Sequence, residues 1–305
     1  MTTAVVCAYS PVGRAALEGL LESGIQVKAL FTYPQGQDEQ WFEAPAALAE
    51  RHGIPVFMEP AFNSDAVFAR IQHLAPDLLF SFYFREMIHA RFLDLPRLGA
   101  YNLHGSLLPK YRGRAPINWV LVKGETETGA SLHAMTPKPD DGHLIGQARL
   151  AIEWDDTALS LTLRCAEAGR ALVRDLAPKL AAGSAPRVDQ KTLGPSTYFG
   201  GRKPEDSRLD FTMTVQDAFN QIRAVADPWP NAFLRTERGE VRVPWALPRA
   251  EACPQGHFKA TREGVRLGFA DGALQIIALK RMGVRSERPT EHAAWLRELG
   301  LPEAR

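Results

Sequence analysis

Short apolar runs alternate with amphipathic segments along the first 104 residues of this chain. Runs with the length and apolar content of strands lie at residues 4–8, 27–32, 54–57, 78–83 and 100–104. The segments between them predict helices at residues 11–23, 45–52, 64–74 and 87–95. Strands separated by helices of this length form βαβ units, whose strands lie parallel. We therefore predict an α/β fold with a Rossmann-like, mainly parallel sheet and helices on both faces.

The rest of the chain predicts a late hairpin and a second, smaller domain. Residues 130–135 and 145–152 alternate like the two strands of a hairpin. A helix is predicted at 215–225, and period-two segments follow it at 240–245, 264–270 and 273–279. Short strands flanked by turn signals favour a small β-barrel, which we expect to be OB-like.

A low-complexity run, Ala-Ala-Gly-Ser-Ala-Pro, follows the long helix predicted at residues 159–180. Such a run is typical of a break between domains. We therefore place the α/β domain at residues 1–188, a linker at 189–203 and the OB-like domain at 204–305.

Composition and charge narrow the functional class. The chain of 305 residues is 45% apolar and 23% charged, which is ordinary for a globular protein with a sizeable core. Its longest apolar runs are too short to span a bilayer, and its N-terminus lacks a signal-peptide pattern. Three scattered cysteines, Cys7, Cys165 and Cys253, favour a reducing cytoplasm over a disulfide framework. The net charge of +1 does not favour a nucleic-acid partner, and the oligomeric state, including a homo-oligomer, stays open.

A candidate catalytic segment covers residues 101–116. Asn102 and His104 stand two residues apart on a predicted strand, which puts their side chains on one face. The following loop falls beyond the carboxyl ends of the parallel strands, where ligands of such sheets bind. An amide donor beside an imidazole suits oxyanion stabilisation and proton transfer, and Asp140 could hold the charged imidazole. The residues alone also allow Asn102 to be a turn residue and His104 a core histidine.

Other polar residues near this segment have two interpretations each. Arg112 and Arg114 lie in the loop and could hold a carboxylate or phosphate by paired hydrogen bonds, or be solvated surface. Asp141 is an alternative to Asp140 as the carboxylate beside His104, because periodicity cannot distinguish neighbouring loop residues. His133 alternates within an apolar strand, which favours a structural role.

Several common catalytic motifs are missing from the sequence. No GxGxxG follows the first strand, and there is no GxxxxGK[ST], HExxH or GxSxG. We therefore expect neither a dinucleotide cofactor nor a catalytic metal.

The segment also carries a family resemblance. Asn102-x-His104, the Ser-Leu-Leu-Pro at 106–109 and Asp140-x-Gly142 together resemble the active-site pattern of the formyltetrahydrofolate-dependent formyltransferases. The resemblance extends from residue 4 to about residue 279. It is closest to the formyltransferase half of the bifunctional lipid A modification enzyme that formylates UDP-4-amino-4-deoxy-L-arabinose. Segments 80–83, 102–119, 124–129 and 223–230 carry that closer likeness, and we expect a stand-alone formyltransferase without the dehydrogenase-decarboxylase domain.

The resemblance implies a role for each matching residue. His104 would be the catalytic acid and base, Asn102 would stabilise the tetrahedral intermediate, and Asp140 would raise the pKa of His104. The co-substrate 10-formyltetrahydrofolate would lie along Glu86, Met87, Ile88, Arg114, Thr136, Pro137, Lys138 and Pro139. Glu86 and Met87 differ from the family member's residues there, and Pro137 and Pro139 stiffen the loop. Arg112 and Trp229 would contact the sugar nucleotide, although Trp229 also fits a structural role.

The resemblance leaves the acceptor open. The leading hypothesis is UDP-4-amino-4-deoxy-L-arabinose, in lipid A modification and polymyxin resistance. Alternatives are another UDP- or dTDP-linked amino sugar, or methionyl-tRNA, which the nearly neutral charge of the C-terminal part disfavours. A catalytically silent folate-binding protein is disfavoured because Asn102, His104 and Asp140 are all present.

Overall fold

A computed structural model describes residues 1–249 and 253–304, apart from the side chain of Asp38. The chain forms two compact units. The first comprises residues 1–116, 127–152 and 161–200, and the second comprises 117–126, 153–160 and 201–305. Of the residues predicted as a linker, 189–200 therefore belong to the first unit, where they include a 3₁₀-helix at Gln190–Leu193.

The first unit contains a seven-stranded sheet and a separate two-stranded pair. The strands are β1 (Thr3–Ala8), β2 (Gln26–Phe31), β3 (Val56–Phe57), β4 (Leu78–Phe82), β5 (Ala100–His104), β6 (Arg112–Gly113), β7 (Glu127–Ala134), β8 (Leu144–Ala151) and β9 (Tyr198–Phe199). The large sheet has the order β3-β2-β1-β4-β5-β7-β8. The first five of these strands pair in parallel, whereas β7 is antiparallel to both β5 and β8. Strands β6 and β9 form the small parallel pair.

The helices of the chain's first 200 residues are α1 (Ser10–Glu22), α2 (Pro45–Arg51), α3 (Asp65–Leu74), α4 (Ala90–Leu93), α5 (Pro116–Val122) and α6 (Ala158–Ala181). Helices α1, α2, α3, α4 and α6 supply the side chains that cover the two faces of the large sheet. Successive residues of a strand point to opposite faces. Accordingly, Val6 of β1 packs in one core with Leu17 of α1, whereas Cys7 packs in another core with Ile71 of α3 and Phe92 of α4. The predicted α/β fold with a mainly parallel sheet is confirmed.

Side-chain hydrogen bonds explain where two elements begin. The Ser64 hydroxyl accepts from the Val67 N–H at 3.4 Å and caps α3, close to the predicted start. The helix predicted at 87–95 is much shorter, since α4 covers only residues 90–93. The Asn63 side chain explains the difference, because it donates to the Met87 carbonyl and accepts from the His89 N–H, each at 2.9 Å. These bonds hold residues 87–89 outside the helix.

The second unit is built on an antiparallel sheet of six strands. The strands are β10 (Ala232–Thr236), β11 (Gly239–Arg249), β12 (Phe258–Thr261), β13 (Gly264–Gly268), β14 (Ala273–Arg281) and β15 (Val284–Ser286). Their order is β10-β11-β14-β13-β12, with β15 paired to β14. Helices α7 (Val215–Ala224) and α8 (Pro289–Glu298) and a 3₁₀-helix at Pro204–Ser207 also belong to this unit, as does α5 from residue 117 onward. The predicted second domain of short strands is thus confirmed as an antiparallel sheet domain.

No helix within the described parts of the chain is long and apolar enough to cross a membrane.

The contact between α1 and α6 gives a first test of the fold. A Cβ added to Gly19 of α1 would lie 2.3 Å from the Arg170 carbonyl oxygen of α6. We expect Gly19→Ala to lower the free energy of unfolding by about 1–3 kcal/mol, because the helices must move apart. Urea unfolding monitored by circular dichroism measures the loss. Gly200→Ala is the control, since nothing lies within 4 Å of its added Cβ; equal stability of both variants would contradict the close packing.

Candidate active site

A cavity of about 590 Å³ opens on one face of the first unit's sheet. Its walls include the residues that follow the carboxyl ends of β4 and β5, together with the loop between β7 and β8. Ten of its lining residues belong to the sequence-predicted site: Glu86, Met87, Ile88, Asn102, His104, Arg114, Thr136, Lys138, Pro139 and Asp140. The fold thus gathers segments that lie up to 54 residues apart in the sequence.

Strand β5 separates core side chains from cavity side chains. Tyr101 and Leu103 are buried in the hydrophobic core on one face. Asn102 and His104 line the cavity on the other face. The i, i+2 spacing in the sequence is therefore the cause of their shared orientation.

His104 is held in a defined orientation by the main chain. The side chain is buried, and its Nε2 lies 2.7 Å from the Tyr111 carbonyl oxygen. Because a carbonyl can only accept, Nε2 carries the proton and donates it. The Nδ1 atom then faces Asp140, whose Oδ1 lies 3.6 Å away.

Burial lowers the pKa of His104 below the ordinary histidine value, because the charged ring loses its hydration. The Asp140 carboxylate and the Tyr111 carbonyl act in the opposite direction but do not outweigh burial. Asp140 thus raises the pKa of His104, as the resemblance implies, but the pKa is lowered overall. The ring is neutral at pH 7, with Nδ1 free to accept a proton.

Asp140 is fixed by its backbone and by several donors. Its φ of 53° lies in the left-handed region. Its Oδ2 accepts from the Gly113 N–H at 2.8 Å, and its Oδ1 accepts from Asn102 Nδ2 at 3.3 Å. Burial by itself would raise the pKa of Asp140, but the His104 and His133 rings and the Gly113 N–H lower it well below its usual range. The carboxylate is therefore ionised.

His133 belongs to the cavity, although the sequence favoured a structural role. It lies directly opposite Asn102 in the β5–β7 pair. Its Nδ1–H donates to the Ala134 carbonyl at 2.8 Å, which turns Nε2 toward Asn102 Nδ2 at 3.1 Å and Asp140 Oδ1 at 3.3 Å. The register of the β5–β7 pair would have placed His133 beside Asn102. The alternation of residues within one strand does not determine that register.

Three other predicted residues lie elsewhere. Pro137 lines an adjacent cavity of about 320 Å³. Arg112 does not line the main cavity but pairs with Asp141 and donates to Gln190 Oε1 at 2.8 Å. Trp229 belongs to the second unit, where it is partly buried against the hydrophobic core. The geometry therefore separates Asp140, which faces the histidines, from Asp141, which pairs with Arg112.

Two features of the cavity bear on ligands. Arg114 is exposed at the cavity and forms no ion pair with any described residue. Over residues 1–249 and 253–304, no group of three or more His, Cys, Asp or Glu side chains is arranged to hold a metal ion.

Comparison with known families decides the class of the protein. Residues 3–176 match the formyl transferase family, and residues 202–295 match the formyl transferase C-terminal domain. The chain belongs to the formyl transferase family. This formyltransferase is therefore an enzyme whose matched region contains Asn102, His104 and Asp140.

Solved structures share the fold at low sequence identity. One is the N-formyltransferase from Helicobacter canadensis in complex with folinic acid and dTDP-3-aminofucose, which is 20% identical in sequence and has a TM-score of 0.72. The match covers 90% of this chain and 98% of that chain. WlaRD, a sugar 3N-formyltransferase crystallised with dTDP and 5-N-formyl-THF, is 18% identical and has a TM-score of 0.70. That match covers 90% of this chain and 97% of WlaRD. HypX from Aquifex aeolicus, in complex with tetrahydrofolic acid, is 17% identical and has a TM-score of 0.61. The match covers 99% of this chain and 48% of HypX.

The electrostatics of His104 give the second prediction. We expect its ring to titrate below the ordinary histidine range, and Asp140→Asn to lower its pKa further by removing the carboxylate that favours the charged ring. Side-chain NMR followed against pH, with the signal assigned through His104→Gln, measures both values. Asp141→Asn removes the same charge one residue along and should give a smaller shift. A rise in the pKa of His104 in Asp140→Asn would contradict the geometry.

Proposed function

We propose that this formyltransferase moves a formyl group from 10-formyltetrahydrofolate to the amine of a nucleotide-linked amino sugar. The observation that carries the proposal is the arrangement of Asn102, His104 and Asp140 in one cavity, with a neutral imidazole 3.6 Å from an ionised carboxylate. An imidazole with a free Nδ1 and a nearby amide N–H are the groups that acyl transfer to an amine requires.

The cavity walls support a folate donor. Residues 86–88 and the loop at 136–140 line the cavity, apart from Pro137, which borders the smaller one. Arg114 supplies a cation that no described residue neutralises, and the donor carries carboxylates. The related structures that hold folinic acid, 5-N-formyl-THF or tetrahydrofolic acid agree with this donor.

The reaction can be followed atom by atom. The neutral amine attacks the formyl carbon, and its excess proton passes to His104 Nδ1. The imidazolium is then stabilised by Asp140 and by the Tyr111 carbonyl that accepts from Nε2. When the bond from the formyl carbon to the folate nitrogen breaks, His104 returns the proton to that nitrogen and becomes neutral again.

Asn102 would stabilise the negative oxygen of the tetrahedral intermediate. Its Nδ2 bears two N–H bonds, and the shorter contact, at 3.1 Å, goes to His133 Nε2. The longer contact, at 3.3 Å to Asp140, can be exchanged for the developing oxyanion. His133 thereby keeps the amide oriented while the second N–H serves the reaction.

The first candidate acceptor is UDP-4-amino-4-deoxy-L-arabinose, which would place the enzyme in lipid A modification and polymyxin resistance. The likeness of segments 80–83, 102–119, 124–129 and 223–230 to the enzyme of that reaction supports it. A dTDP-linked amino sugar is the second candidate, because two of the related structures hold dTDP or a dTDP-sugar. The net charge of +1 disfavours methionyl-tRNA.

A formylation assay over a panel of acceptors tests the proposal. The panel contains UDP-4-amino-4-deoxy-L-arabinose, dTDP-3-aminofucose and methionyl-tRNA, each with 10-formyltetrahydrofolate. We expect formylation of at least one nucleotide sugar and the highest kcat/KM with the UDP-arabinose derivative. Product mass identifies the formylated amine. Formylation of methionyl-tRNA alone, or of none of the acceptors, would overturn the proposal.

The assigned role of His104 gives a further prediction. We expect His104→Ala to lower kcat by about 10²–10⁴-fold, because proton transfer is lost. Folate binding, measured by fluorescence titration, should be retained. His89→Ala is the matched control, since His89 is exposed and does not line the cavity. Unchanged turnover in His104→Ala would show that formyl transfer does not depend on this histidine.

A further inference from the structure

Gln190 is a buried amide in the segment that the sequence predicts to be a linker. The residue is only 1% exposed. Its Nε2 donates to two carbonyls of the β7–β8 loop, those of Asp140 at 2.9 Å and Gly142 at 2.7 Å. Its Oε1 accepts from Arg112 Nη2 at 2.8 Å. A single side chain thus forms hydrogen bonds with the β7–β8 loop and with Arg112 of β6.

The backbone of Asp140 needs such support. A left-handed φ of 53° is unfavourable for a residue with a Cβ and persists when the surroundings fix it. Gln190 binds the carbonyl of Asp140 itself and that of the second residue after it. These bonds fix the main chain on both sides of Asp141, and the Asp140 side chain is then directed at the two histidines.

The same segment also fixes the donor on the other side of the carboxylate. The Gly113 N–H that binds Asp140 belongs to β6, which pairs with β9. A Cβ on Gly113 would lie 2.2 Å from the Phe199 carbonyl oxygen, and its φ is 99°. Residues 190–199 therefore determine the position of both the Asp140 main chain and the N–H group that orients its side chain.

We propose that Gln190 is a positioning residue, which keeps the Asp140 carboxylate beside His104 by binding the main chain of the β7–β8 loop. The kinetic consequence rests on the proposed function, since it assigns Asp140 to formyl transfer. The structural consequence does not, because it concerns only the distance between a carboxylate and an imidazole.

The test replaces the amide while keeping the length of the side chain. We expect Gln190→Met to lower kcat by about 10- to 100-fold through misplacement of Asp140, with both KM values within about threefold of wild type. Lys191→Ala, at the exposed neighbouring residue, is the control and should match wild type. Thermal unfolding verifies that each variant is folded.

NMR titration of His104 is the readout that a purely structural role would not change. The titratable groups facing His104 are Asp140 and His133. With Asp140 displaced, the pKa of His104 should fall in Gln190→Met, as in Asp140→Asn. If the variant does not fold, Gln190→Glu takes its place for kcat, because it keeps an acceptor for Arg112 but loses the two donated bonds and sets a carboxylate oxygen against both carbonyls.

The outcomes separate the two proposals. Loss of kcat together with a lower pKa of His104 supports the inference. An unchanged titration, an unchanged kcat in Gln190→Glu, or a loss confined to KM or to thermal stability would overturn it. If the wild-type protein formylates no acceptor, the proposed function fails, and the titration alone then decides whether Gln190 positions Asp140.

Discussion

The arrangement of the site depends on one carboxylate being ionised where water is nearly excluded. The Asp140 side chain is only 11% exposed, and burial of a charge is unfavourable unless donors replace the lost hydration. The protein supplies the Gly113 N–H and the Asn102 amide, with His104 and His133 nearby. Strands β5, β6 and β7, which carry these groups, and the β7–β8 loop, which carries Asp140, must therefore keep their relative positions for the carboxylate to stay charged.

The direction of β7 determines how the β7–β8 loop brings Asp140 to His104. Because β7 runs antiparallel to β5, the chain leaves β7 beside Tyr101, three residues before His104. At about 3.3 Å per residue, the following loop must return roughly 10 Å over the sheet face before Asp140 can reach His104. A loop outside the sheet has no ladder of hydrogen bonds to hold it. Side-chain bonds from elsewhere, including those of Gln190, replace that ladder.

The sequence predicted the parts of the site that depend on local spacing. The pair Asn102 and His104 followed from the two-residue period of a strand, and the position of their loop followed from the alternation of strands and helices. The family resemblance, rather than spacing, preferred Asp140 over Asp141, because a loop residue's direction depends on its backbone angles and partners. His133 and Gln190 were missed as site residues for a related reason: their roles arise from strand register and from contacts 50 residues apart. The shortened helix α4 likewise depends on Asn63, which lies 24 residues away from its partner Met87.

The pairing of β6 with β9 has a consequence for how the enzyme can be divided. All three proposed catalytic residues lie before residue 141, yet their geometry is completed by chain that follows the long helix α6. A fragment ending at residue 188 would retain each of these side chains but would have neither Gln190 nor the strand beside Gly113. The contacts that hold the Asp140 carboxylate therefore extend along the chain to Phe199, 59 residues after Asp140 itself.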